Sequence, residues 1–182
     1  LVSKCNPDYI LLLDADEIVT PNIISFIKNI DTSVNLWSAR MINLWDDEYH
    51  YRVDKYRTSM GANVNWDPFS HNAWRKTILL KYNSDFNYKY DLTVNKGPVS
   101  VYHPCPDNSP IPHKKTEDFY ILHYGKLSEE YKTGLRNKKY SKMEEHDRNS
   151  DYTHQLKHHE SCRLEGTPIL KSVNPKWLWL NS

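Results

Sequence analysis

At 182 residues, with 24 Lys and Arg against 23 Asp and Glu, the chain has room for one hydrophobic core and almost no net charge. A formal charge of +1 provides no field to attract nucleic acid or an anionic membrane, and no apolar run nears the about 20 residues of a membrane span. Cys5, Cys105 and Cys162 are odd in number and unpatterned, which argues against a disulfide framework and for a reducing, cytoplasmic setting, with peripheral membrane attachment left open.

The first element is the most informative. Tyr9-Ile-Leu-Leu-Leu-Asp14-Ala-Asp16-Glu17-Ile-Val-Thr20-Pro21 sets an unbroken apolar run directly before a cluster of acids. The run predicts a strand buried on both faces, as in a parallel sheet with helices above and below. The acids then stand at the carboxyl end of a strand, where open α/β sheets hold ligands. Thr20 as a cap and Pro21 in the first turn predict a helix, with Ile23, Ile24, Ile27 and Ile30 on one face. In an extended loop, alternation turns the Asp14 and Asp16 carboxylates the same way. Two such oxygen donors suit Mg²⁺ or Mn²⁺, with water and phosphate filling the other positions. A solvated acidic turn ahead of a helix is the plainer alternative, since acids favour helix N-termini anyway.

Tyr9 to Ile30 resembles the metal-binding segment of family-2-like glycosyltransferases of the GT-A fold. In these a buried strand delivers Asp-x-Asp, often as Asp-Ala-Asp-Glu, to the diphosphate of a nucleotide sugar. The resemblance implies an α/β, Rossmann-like mixed sheet with flanking helices. It implies that Asp16 ligates a divalent cation, Mn²⁺ or Mg²⁺, that bridges the diphosphate, and that Asp14 acts through water or on the ribose. Glu17 would sit beside the site. It also implies about two βα units ahead of the motif, holding the base and ribose contacts, whereas this sequence starts at Leu1. The expectation is therefore the C-terminal part of a longer protein, with the nucleotide-binding units missing. Residues 1–182 then form one domain, with a donor and metal segment over 1–45, acceptor-side strands and loops over 46–125, and a helical region over 126–182.

The period-2 pattern of Asn35 to Asn43 predicts a strand, with Trp37, Ala39 and Met41 on one side and Leu36, Ser38, Arg40 and Ile42 on the other. Leu44 to Tyr56 follows, mixing acids, aromatics and Arg52 without helical periodicity. Sugar-binding surfaces have this composition, because aromatics stack on the ring while carboxylates and Arg take the hydroxyls; packing on the core is the alternative. A similar Trp and Tyr-Arg-x-Asp stretch in the family implies that Arg52 and Asp54 belong to the active-site wall, Arg52 toward the nucleotide. Met60 to Asn72 reads as loop, with His71 a surface residue. Trp74 to Tyr82 reads as a strand with charged flanks, and Asn83 to Gly97 as a loop or hairpin over the site. Pro104, Pro106, Pro110 and Pro112 preclude helix or central strand and predict a stiff loop, a candidate acceptor rim.

Thr116 to Gly125 reads as another strand, ending at His123. A histidine there is often only structural; imidazole also suits Mn²⁺ as a third ligand after Asp14 and Asp16, and a similar His-Tyr-Gly context in the family supports that role. The inverting transfer that the resemblance implies needs a carboxylate base for the acceptor hydroxyl. Glu117-Asp118 resembles the family's base motif, although it precedes a strand rather than a helix; Asp118 is preferred, with Asp54 and Asp107 as rivals. Ser128-Glu129-Glu130 predicts a helix with a basic, solvated outer face. His154, His158 and Cys162 share a four-residue spacing but lack a fourth zinc ligand. The tail from Pro168, with Trp177, Leu178, Trp179 and Leu180, packs on the core or covers the missing half.

The expected function is metal-assisted transfer of a sugar from a UDP- or GDP-linked donor to a glycan, lipid-linked or protein acceptor, with no nucleic acid partner. One rival is a haloacid-dehalogenase-like phosphatase with Asp14 as nucleophile, which expects Thr or Val where Ile18 stands. The other is a carbohydrate-binding module that keeps the fold without the chemistry.

Overall fold

The computed structural model describes residues 8–59, 61, 63–71, 73–82, 113–127 and 166–179. Its elements are β1 (Tyr9–Leu11), β2 (Glu17–Val19), α1 (Ile23–Lys28), β3 (Leu36–Trp45), β4 (Asp47–Arg52), β5 (Lys55–Arg57), β6 (Asn63–Asn65), β7 (Arg75–Lys81), β8 (His113–His123) and β9 (Leu170–Ser172), followed by a 3-10 turn over Pro175–Trp177.

β3 is the spine of a mixed sheet. β7 pairs with it antiparallel on one side and β8 lies parallel to it on the other. β1 extends the sheet beyond β7, and β2 beyond β8, both antiparallel. Past Leu44 the chain reverses through Asp46, which takes the left-handed conformation (φ 70°) that Asp tolerates, and runs back as β4 with β9 alongside. β7 finishes where β3 starts, with Lys81 N–H donating to Asn35 O at 2.8 Å, and β8 enters opposite Leu36. The chain thus leaves and rejoins the sheet at one end, opposite to the acidic loop.

Alternation along β3 divides the core. Trp37 and Ala39 join Val19, Ile23, Ile78, Phe119 and Ile121 on the face that α1 covers. Ile42 and Leu44 join Tyr51, Leu122 and Val173 on the other, where Trp177 and Leu178 pack. The tail therefore folds back on the core. Residues 166–179, within the stretch expected to be helical, form β9 and the 3-10 turn instead.

Four early expectations are corrected. β1 is not a doubly buried strand of a parallel sheet: it pairs with antiparallel β7, and Leu12 is buried while Leu11 and Leu13 are 41% and 38% exposed. An apolar run alone does not distinguish these cases. Thr20 does not cap the helix either. Its buried Oγ1 accepts from Tyr120 N–H at 3.0 Å, tying β2 to β8, and Asn22 takes the cap position. α1 is six residues long and buries Ile23, while Ile24 and Ile27 are exposed; Phe26 makes the aromatic contact, 5.0 Å from the rings of both Trp37 and Phe119. Within the expected loop 60–72, Asn63–Asn65 pairs with β5 as a small second sheet, and His71 is exposed.

The loops expected over 83–112 with Asp107, the helix from Ser128, the His154, His158 and Cys162 alignment, and all three cysteines lie outside the described residues. No helix among the described residues is long and apolar enough to cross a membrane.

Candidate metal and donor site

The acids sit in a turn between β1 and β2. Glu17 N–H donates to Asp14 O at 3.1 Å, and Asp14 N–H donates to Glu17 Oε2 at 2.9 Å. Because this segment is not extended, alternation does not align Asp14 with Asp16. Asp14 Oδ2 lies 2.9 Å from Lys76 Nζ, and the Glu17 carboxylate pairs with the same ammonium. β7 places Lys76 with the parity of Ile78, facing the α1 side of the core. The Lys76 and Glu17 side chains are only 9% and 2% exposed, so each depends on the other to offset desolvation.

Asp16 faces the end of β8. Register sets His123 opposite both Glu17 of β2 and Asn43 of β3, so three strand ends meet there. His123 Nε2 is 3.4 Å from Asp16 Oδ2, and His123 Nδ1 is 2.8 Å from Asn43 Oδ1. Tyr124 N–H donates to Asp16 O at 2.8 Å and fixes the backbone of the turn. With the Asn43 amide oxygen toward the ring, Nδ1 carries a proton, so in the neutral ring Nε2 presents a lone pair toward the carboxylate. A cation placed between the two atoms would meet both.

The pair fits a divalent cation, with one hard oxygen and one imidazole whose far nitrogen is held. Asp14 is engaged by Lys76, while Asp16 and His123 face each other. Among the described residues no three His, Cys, Asp or Glu side chains group as a metal site. A cation held by this pair would draw its other ligands from water and substrate, as Mg²⁺ commonly does.

The base candidates sit elsewhere. Ser38 pairs with Lys115 but Arg40 with Tyr120, so Thr116 to Phe119 bulge opposite Ala39 alone. Thr116 Oγ1 accepts from Asp118 N–H and donates to Asp118 Oδ2, each at 3.1 Å. Glu117 is clamped by two guanidiniums: Arg40 Nε at 2.6 Å, and Arg75. Arg40 also donates to Pro68 O and Ser70 O, and Arg75 to Thr116 O. Burial pushes the Glu117 carboxyl up, but Arg40 and Arg75 outweigh it and hold it below the ordinary range. Such a carboxylate is a poor base. Asp118 turns toward α1 and borders an open hollow of about 620 Å³ with Asn22, Asn29 and Trp37. Ala39 and Asn43 are four residues apart, so the bulge lies about 13 Å down the sheet from His123.

Arg52 and Asp54 meet each other. Arg52 Nε is 2.5 Å from Asp54 Oδ1 and its Nη2 is 2.8 Å from Oδ2, with the side chains 0% and 5% exposed. The guanidinium carbon lies 4.6 Å from the Trp45 ring centroid and 5.0 Å from that of Trp66. A fork closed on a carboxylate between aromatic rings holds the β4–β5 corner together. The geometry gives these two residues a structural task.

Sequence reasoning missed Lys76 and Asn43. Each carried a signal: Lys76 is a charge with the parity of buried Ile78, and Asn43 is a polar residue near the end of an apolar strand. Comparison with known proteins finds no matching family model, no matching curated protein and no matching solved structure.

Proposed function

We propose that this chain carries the metal-binding part of a glycosyltransferase that moves a sugar from a UDP- or GDP-linked donor to an acceptor hydroxyl on a glycan, lipid-linked or protein acceptor. The observation that carries the reading is the convergence of Asp16 and His123 at adjoining strand ends, 3.4 Å apart, with the imidazole oriented by Asn43. Asp16 and His123 would hold Mn²⁺ or Mg²⁺, which neutralises the charge developing on a leaving diphosphate. Asn43 orients the His123 ring toward the site, and Lys76 offsets one of the two charges of Asp14 and Glu17, which lessens the loop's repulsion of the diphosphate.

The test is calorimetric titration with UDP and GDP, with and without Mn²⁺, on this chain and on the longest natural form that contains it. Binding should need Mn²⁺ and weaken about a hundredfold in Asp16→Asn and in His123→Ala. Glu117→Gln should bind as the parent does. Mn²⁺-dependent binding retained in both site variants would sink the assignment.

One contact favours a second reading. A carboxylate held against an ammonium, as Asp14 is against Lys76, suits the nucleophile of a dehalogenase-like phosphatase. Under it, hydrolysis of p-nitrophenyl phosphate would be present in the parent and absent in Asp14→Asn, with no nucleotide requirement.

A further inference from the structure

On the sheet face away from α1, next to the acidic turn, lies a recess of about 250 Å³. Its floor is Leu122 and Leu178 and its rim is Ile18, Glu48, Tyr49, Tyr124, Trp177 and Trp179. It adjoins the site by sequence and by bonding, since Ile18 follows Asp16 by two residues and Tyr124, next to His123, donates its N–H to Asp16 O. Three large apolar side chains stay open to solvent here, with Tyr49 51%, Ile18 42% and Trp179 41% exposed. An aromatic rim left uncovered beside polar groups marks a contact surface for a ligand.

The polar groups indicate its chemistry. Glu48, Tyr49 and Tyr124 line the recess together. One edge thus offers a carboxylate and phenols, while the walls offer ring faces. A pyranose has the complementary construction, with an apolar C–H face and an edge of hydroxyls. A hydrocarbon chain would be better served by aliphatic walls without a carboxylate. The volume falls just below the range of about 300–1,000 Å³ typical of drug-sized ligands, which suits a single ring.

The walls are also fixed in advance. Trp179 Nε1 donates to Val19 O at 2.7 Å, Val173 N–H donates to Tyr49 O at 2.7 Å, and the Trp177 ring lies 5.1 Å from that of Tyr120. Little ordering would remain to oppose binding. We propose that this recess binds one sugar ring by stacking against its aromatic rim, with Glu48 and Tyr49 taking the hydroxyls. That the ring belongs to the acceptor rests on the transferase reading above.

The test is ligand-observed saturation-transfer NMR on the full chain with methyl glycosides of glucose, galactose, mannose and N-acetylglucosamine. At least one should bind saturably, and Glu48→Gln and Tyr49→Ser should each weaken it about tenfold. Both variants change exposed side chains, and an unaltered melting curve certifies their fold. EDTA should leave sugar binding unchanged. Sugar binding in a protein that shows no Mn²⁺-dependent nucleotide binding would refute the transferase reading while supporting the recess. Absence of saturation with every glycoside, or parent-like binding in both variants, overturns the proposal. So does affinity that rises with alkyl length in octyl glycosides but ignores the sugar, an outcome that would assign the recess to a hydrocarbon chain.

Discussion

With Lys76 held between Asp14 and Glu17, two of the three acids in the turn are answered from within the chain, and Asp16 is left to face His123. Removing the ammonium leaves Glu17 buried as an uncompensated charge, so Lys76→Met should cost about 3 kcal/mol in urea denaturation. Adding Glu17→Leu should recover most of that loss, because an apolar replacement of both partners removes the desolvation penalty. Arg52→Lys should likewise cost about 3 kcal/mol, since an ammonium cannot reproduce the two-pronged contact with Asp54 or the stacking on Trp45 and Trp66. Asp16 and His123 were legible in the sequence because each stands where an apolar run stops. Lys76 was not, because its nearer acid lies 59 residues away and no local pattern announces such a pairing.

Among elements, β8 departs furthest from regular form. Its Thr116–Phe119 bulge sends Glu117 to a guanidinium clamp and Asp118 toward α1, so a dipeptide that reads as one motif serves two places. The clamp makes a prediction about acid stability. A carboxyl held below its ordinary value contributes stability that is complete above the unfolded pKa and is lost as pH falls through the folded one. For Glu117 that window opens below its ordinary value of 4.5. In Glu117→Gln, the fall in denaturation midpoint on acidification below about pH 4.5 should be shallower than in the parent. The difference should be small, because the side chain is 52% exposed and water screens it. An identical acid profile would show that the clamp is energetically silent. The strand itself was legible from its apolar run; the bulge was not, since only the register against Ser38 and Arg40 reveals the extra residues. The cap of α1 was misjudged for a related reason, because Thr20 is claimed by Tyr120 N–H before it can cap anything.

At the scale of the molecule, the mixed sheet with a core on each face explains why the period-2 reading worked along β3 while the unbroken apolar run misled at β1. β3 has partners on both sides and packing above and below, whereas β1 pairs with β7 alone among the described strands. The packing of the tail against Tyr51, Tyr120 and Leu122 was foreseen as one of two outcomes, its aromatic content giving the signal and long-range contacts the answer.

The chain leaves the sheet after Lys81 and re-enters it at His113, on either side of the start of β3. β7 and β8 flank a single strand, so these points are about 10 Å apart, two strand spacings, and a linker of a few residues can bridge them. Exchanging residues 84–111 for a short Gly-Ser segment should leave the melting temperature within a few degrees of the parent's, since closing a loop of any modest length differs by only about 1 kcal/mol. A collapse of the melt would reveal that these residues contribute to the core. A chain that tolerates the exchange could accept foreign sequence at this end of the sheet, leaving Asp16 and His123 undisturbed at the other.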